Sequence, residues 1–161
     1  MRIFIMRHGQ ASALSVVDAE RPLTTQGIDE VSTMADWLSS LPFEFDQIWV
    51  SPFKRAQQTA KTVTSKLNNQ EKLTTLNFIT PSGSANKMHD FLDGCCNVTD
   101  KKTEQRVLIV SHMPLVSYLV AELTQQQACP IFQTAAIAEI NYDEVKMTGH
   151  LQKMVCPTDF N

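Results

Sequence analysis

Arg106-Val107-Leu108-Ile109-Val110-Ser111-His112 is the stretch on which the fold turns. Its four consecutive apolar residues leave no polar face, so the run reads as a strand covered on both sides, in the middle of a parallel sheet. It ends on a serine and a histidine, and Met113 to Leu123 then set Leu115, Val116, Leu119, Val120 and Leu123 on one helical face. A strand leading into a helix that packs back on the sheet is a β-α unit.

The same grammar holds upstream. Arg2 to Met6 reads as a first strand that runs straight into Arg7-His8-Gly9. A loop through Arg21-Pro22-Leu23 and Thr24-Thr25-Gln26-Gly27 leads to Ile28, Val31, Ala35 and Leu38, spaced for an amphipathic helix that Leu41-Pro42 breaks. Asp46 to Val50 is a second strand; Ser51-Pro52 then reads as an N-cap with proline in the first helical position. The stripe Ala56, Ala60, Val63, Leu67 predicts the next helix, ended by Asn68-Asn69-Gln70. Thr74 to Thr80 predicts a short strand, Pro81-Ser82-Gly83 a turn, and residues 84–94 a helix ending at Gly94. Ala136 to Tyr142 and Met147 to Val155, around Asp143-Glu144, predict an antiparallel hairpin. The expected fold is α/β: three layers, α-β-α, with a mostly parallel central sheet and an antiparallel C-terminal hairpin.

The 161 residues, 43% hydrophobic and 19% charged, fit one domain spanning 1–161. A formal charge of −3 argues against a nucleic-acid or anionic-membrane surface, which would select a basic patch. No apolar run approaches a membrane span or a signal-peptide core, so a soluble, cytoplasmic protein is expected, with a monomer favoured. Cys95, Cys96, Cys129 and Cys156 form no C-x-x-C unit and read as free structural thiols.

Three polar groups stand at the carboxyl ends of predicted strands: Arg7 and His8, Ser51 to Arg55, and Ser111-His112. Those ends share one edge of a parallel sheet, where ligands bind. Arg55 sits in the first turn of its helix, opposing the positive end of the dipole, and a bound anion would relieve that conflict. His112 also stands where a helix begins, which would lower its pKa unless a phosphate compensates. Ser51 and Ser111 read as caps, and His89 and His150 as surface or packing residues. A histidine nucleophile beside guanidinium groups suits phosphoryl transfer, in which the protein supplies alignment and positive charge.

Taken together, Arg7-His8-Gly9, Arg21-Pro22-Leu23-Thr24, Ser51-Pro52 with Arg55-Ala56 and Gln58-Thr59-Ala60, and Ser111-His112-Met113-Pro114 resemble the histidine phosphatase superfamily, with its phosphoglycerate-mutase-like fold. The short chain, Ser-Pro-Phe-x-Arg-Ala at 51–56 and Ser-His-x-Pro-Leu-Val at 111–116 most resemble its SixA-type phosphohistidine phosphatases. The resemblance implies that His8 is the phosphorylated nucleophile, that Arg7, Arg55 and His112 form the phosphate pocket, and that Arg21 approaches it. Arg7, Arg55 and a protonated His112 would supply the charge that a metal supplies elsewhere, so no metal or cofactor is expected.

Superfamily members acting on phosphate esters usually carry Arg-His-Gly-Glu and an acidic proton donor between the second arginine and the second histidine. Here position 10 is glutamine, and Glu71, Asp90, Asp93, Asp100 and Glu104 stand in no donor motif. An imidazole leaving group, with a conjugate-acid pKa of about 6.5, needs less help than an alkoxide. The expected substrate is therefore phosphohistidine on a carrier protein, such as a histidine-phosphotransfer domain or a phosphotransferase-system carrier. A small-molecule phosphomonoesterase or mutase is the alternative enzyme, and a catalytically weak phosphoprotein-binding module the alternative of another class.

Overall fold

The alternation of Ile3-Phe4-Ile5-Met6 sends side chains to both faces of a sheet, and every one of them is apolar. In the computed structural model, which describes residues 1–96 and 104–160, β1 (Arg2–Arg7) indeed carries a hydrophobic layer on each side. Ile3 and Ile5 join one buried cluster, while Phe4 and Met6 join the other. Val107 and Ile109 against Leu108 and Val110 divide the same way on β4 (Arg106–Ser111), which pairs in parallel with β1. Full burial of such a side chain contributes roughly 1.5 to 3 kcal/mol, so these two strands anchor both layers.

The helices supply the outer layers. α1 (Thr25–Ser39) and α2 (Lys54–Leu67) cover the face of Phe4 and Met6; α3 (Ala85–Cys96) and α4 (Leu115–Leu123) cover the face of Ile3 and Ile5. Thr24 caps α1, its hydroxyl accepting from Gly27 N at 3.0 Å, a contact worth about 1 kcal/mol. The buried stripe of α1 is Gly27, Val31, Met34, Ala35 and Leu38, whereas Ile28 is about half exposed and does not belong to it. Asn68 ends α2 in the left-handed conformation, with φ of 54°. No described helix is long and apolar enough to cross a membrane.

With β2 (Gln47–Val50), β3 (Leu73–Thr75), β5 (Ile137–Asp143) and β6 (Thr148–Val155), the sheet order is β3-β2-β4-β1-β5-β6. β3, β2, β4 and β1 are parallel, and β5 and β6 add the expected antiparallel hairpin. Several predicted elements differ in extent, among them α4, which starts at Leu115 and not at Met113. β3 stops at Thr75 instead of Thr80, because β2 offers no ladder beyond Val50; Leu76 N takes the last carbonyl, that of Val50, at 2.9 Å. α3 runs on to Cys96, past Gly94. α2 starts at Lys54 with Phe53 as its N-cap, so Ser51 is not the cap and Pro52 is not the first helical residue.

β1 and β4 are neighbours whose following helices lie on opposite faces. Their carboxyl ends thus open a crevice at a topological switch point, and His8 and His112 stand in it.

Candidate active site

His8 leaves β1 with its backbone N–H still bonded to Ser111 O at 3.0 Å, so both histidines are fixed by one ladder. Their ring centroids are 5.0 Å apart. The loop after His8 lies on the first turn of α1 because two glycines let backbones meet. A Cβ on Gly9 would come within 2.4 Å of Gly27 O, and one on Gly27 within 2.0 Å of Gln10 O. Thr59 of α2 secures the same loop, its hydroxyl accepting from Gly9 N at 3.2 Å.

The tautomer of His8 follows from its partners. Nδ1 lies 2.7 Å from Gly9 O, and a carbonyl only accepts, so Nδ1 carries the proton. Nε2 is then a lone pair, and it accepts from Arg55 Nε at 3.1 Å. Burial pulls the His8 pKa down to about 4; the Gly9 bond opposes this, and Arg55, Arg7 and Arg21 add to it. The ring is a neutral base at physiological pH.

His112 is also buried, with Nε2 2.6 Å from Ser51 Oγ and its ring edge-on to Phe53 at 5.2 Å. The Ser51 hydroxyl thus makes its short contact with a catalytic candidate and only a long one, accepting from Phe53 N at 3.4 Å, at the entry of α2; Ser111, expected as a cap, donates to Ile79 O at 2.8 Å. His112 stands three residues before α4, with burial first, then His8 and Arg55, lowering its pKa to about 2. In the phosphate-free pocket His112 is therefore neutral, because burial disfavours its charge and the neighbouring cations add to that; an incoming anion would favour the proton expected of it. His112 Nδ1 is buried with no partner among the described residues, as is Arg7 Nε.

The cations converge as expected, but with a companion. Arg7 donates through Nη1 to Phe132 O at 2.7 Å. Arg55 is 4% exposed, in the first turn of α2, where it opposes the helix dipole. Its fork meets Asp18 twice, Nη1 donating to the backbone carbonyl at 2.7 Å and Nη2 to Oδ2 at 3.1 Å. Arg21 reaches Asp18 Oδ1 at 3.0 Å and Ser12 O at 2.6 Å, so it joins the site through Asp18. Burial pushes the Asp18 pKa up, but bonds from Arg21 and Arg55 outweigh it and hold the carboxyl below the usual range. Asp18 is thus an anion at neutral pH and a poor proton donor. Sequence reasoning missed it, since an acid in an aperiodic loop carries no local signal.

Gln10 turns toward α1, its amide oxygen accepting from the Thr24 hydroxyl at 2.7 Å. Of the acids between Arg55 and His112, Glu71 and Glu104 flank the amino ends of β3 and β4, far along the strands from His112, and Asp90 is exposed on α3. Asp93 accepts from Tyr142 Oη at 2.6 Å. Asp100 lies outside the described residues. His89 bonds Glu122 and Tyr142, and exposed His150 lies on β6, so neither enters the site.

A neutral imidazole whose lone pair is held by an arginine N–H, inside a cationic crevice at a sheet switch point, is the arrangement of a phosphoryl-transfer site. Residues 3–78 match the family model described as histidine phosphatase superfamily (branch 1), and the chain belongs to that superfamily. Among individual proteins it is 42% identical over 144 residues to phosphohistidine phosphatase SixA of Escherichia coli (strain K12), covering 89% of this chain and 87% of that one. A SixA homolog of Haemophilus influenzae is 37% identical over 150 residues, with 89% of each chain covered. The solved structure of the protein histidine phosphatase SixA complexed with tungstate superposes with a TM-score of 0.91 at 38% identity, over 100% of both chains. A putative α-ribazole-5′-P phosphatase of E. coli, at 19% identity and a TM-score of 0.73 over 98% of each chain, shares the fold.

Proposed function

We propose that the protein removes the phosphoryl group from phosphohistidine on a carrier protein, through a covalent phospho-His8 intermediate. One observation carries this reading: the proton fixed on Nδ1 by Gly9 O leaves a lone pair on His8 Nε2, which Arg55 Nε holds at 3.1 Å and which attacks once phosphoryl oxygens draw Arg55 to themselves. Nε2 attacks phosphorus in line; the new N–P bond forms as the bond to the carrier's imidazole breaks, and that imidazole, with a conjugate-acid pKa of about 6.5, leaves with a proton. Arg7, Arg55 and His112 hold the equatorial oxygens, His112 gaining its proton as the phosphate's charge arrives. Water then displaces His8 from phosphorus, which leaves as inorganic phosphate.

Both similar SixA proteins carry the name phosphohistidine phosphatase, and the similar solved SixA structure holds tungstate, a tetrahedral oxyanion of phosphate's shape. The absence of a described interval acid at the pocket suits an imidazole leaving group better than an alkoxide. A protein substrate suits the surroundings: the loop that brings Asp18 to Arg55 exposes Leu14, Val16 and Val17, and Ile131 is exposed beside Phe132, whose carbonyl holds Arg7. Apolar side chains beside a charged pocket are what a docking carrier would cover. The single chain 1–161 would act as one domain, with no metal, since guanidiniums supply the charge.

The test is a substrate panel with His8→Ala and His112→Ala controls. Phosphohistidyl carriers should turn over faster than phosphoserine or sugar phosphates, and EDTA should leave the rate unchanged. Preference for the esters would defeat the substrate assignment.

A further inference from the structure

Asp18 takes no part in the reaction above, yet its carboxylate sits on the guanidinium that a phosphoryl group must use. The two contacts from Asp18 to Arg55 differ in kind. The backbone carbonyl, 2.7 Å from Nη1, is neutral and orients the fork; the carboxylate, 3.1 Å from Nη2, brings the charge. The exposure of the partners differs as well: the Arg55 side chain is 5% exposed, whereas that of Asp18 is 54% exposed. Water can solvate the carboxylate where it stands and Arg21 still holds its Oδ1, so losing Arg55 would cost it little, whereas Arg55 is buried. A phosphate dianion entering beside His8 would meet Asp18 as a like charge and as a rival for the same donors.

We infer that Asp18 is a specificity-determining residue whose carboxylate competes with the phosphoryl group for Arg55 and so weakens binding of free phosphate. This rests on the proposed function. Inorganic phosphate brings no contacts beyond the pocket with which to displace the carboxylate, so the product is released and ambient phosphate does not clog the site. A phosphoryl group carried on a docked protein has the carrier's own contacts to draw on, and it displaces Asp18.

Asp18→Asn keeps the backbone carbonyl and the side chain's size while removing the charge. Inorganic phosphate is titrated into the wild type and the variant by calorimetry, and assayed as a competitive inhibitor of phosphoramidate hydrolysis. The variant should bind phosphate roughly three- to fivefold tighter, and KM for phosphoramidate should fall by a similar factor without a rise in kcat. Asp18→Ala, with folding checked by thermal melting, should move both constants the same way. If Asp18 instead merely positions Arg55, both substitutions weaken phosphate binding and raise KM; that result, or an unchanged affinity, overturns the inference and leaves the phosphatase reading intact. Failure of the wild type and both variants to bind phosphate at all overturns the phosphate-pocket reading itself.

Discussion

Lowering the pH should cost this protein stability through His8 in a way that can be isolated. The folded-state pKa of His8 is about 4, against 6.5 for an exposed imidazole. Between those values the unfolded chain binds a proton that the folded chain refuses. Stability is therefore undiminished above about pH 6.5 and falls as the pH drops toward 4. Integrated from pH 7 to pH 4.5, that difference is about 2 kcal/mol. The assay is urea unfolding at both pH values for the wild type and His8→Gln, whose side chain cannot titrate. Losses from carboxylates are common to both proteins and largely cancel; His8 is one cause of the low His112 pKa, so the His112 part adds to the difference, and the wild type should lose at least about 2 kcal/mol more. The same pKa leaves roughly 97% of His8 neutral at pH 5.5, where an ordinary histidine would be roughly 9% neutral. An NMR titration in phosphate-free buffer should thus place its midpoint near 4. Equal losses in both proteins, with a midpoint near 6.5, would refute the claim that burial and the arginines hold His8 as a neutral base.

Ser51→Ala deletes the hydroxyl on His112 Nε2 in a fully buried setting. It should lower stability by about 1 to 3 kcal/mol and reduce kcat for phosphohistidyl substrates, read by thermal melting and steady-state kinetics; an unchanged kcat would show that Ser51 does not orient His112. Gly9→Ala forces a Cβ against Gly27 O and Val31. Displacing His8 by about 1 Å should cost on the order of a hundredfold in kcat/KM, and a variant of normal activity would mean that this loop does not set the nucleophile. Replacing Leu14, Val16 and Ile131 with serine should slow hydrolysis of a phosphohistidyl carrier while leaving phosphoramidate hydrolysis unchanged; equal effects on both would remove the apolar rim from substrate docking.

The two strands that hold the histidines are legible because their side chains are apolar on both faces, and only a central strand in a three-layer fold needs that. With β1 and β4 placed, the convergence of Arg7, His8, Arg55 and His112 follows from the common direction of parallel strands. What the sequence hides is set by partners distant along the chain. Ser51 and Ser111 look like caps, but their short hydroxyl contacts are with His112, 61 residues away, and Ile79, 32 residues away. Thr74 to Thr80 alternates like a strand, yet its length is decided by β2, which ends at Val50. Asp18 belongs to no periodic element and acquires its role only when its loop folds back onto α2, 37 residues on.

The central claim is that His8 Nε2 carries the phosphoryl group. The most direct measurement is rapid acid-free quenching of the enzyme with a phosphohistidyl carrier labelled in its phosphoryl group, followed by peptide mapping. The label should appear transiently on His8, in the wild type and, for longer, in variants slowed in hydrolysis, and His8→Ala should neither take up label nor turn over. Full turnover by His8→Ala, or label on another residue, would contradict it.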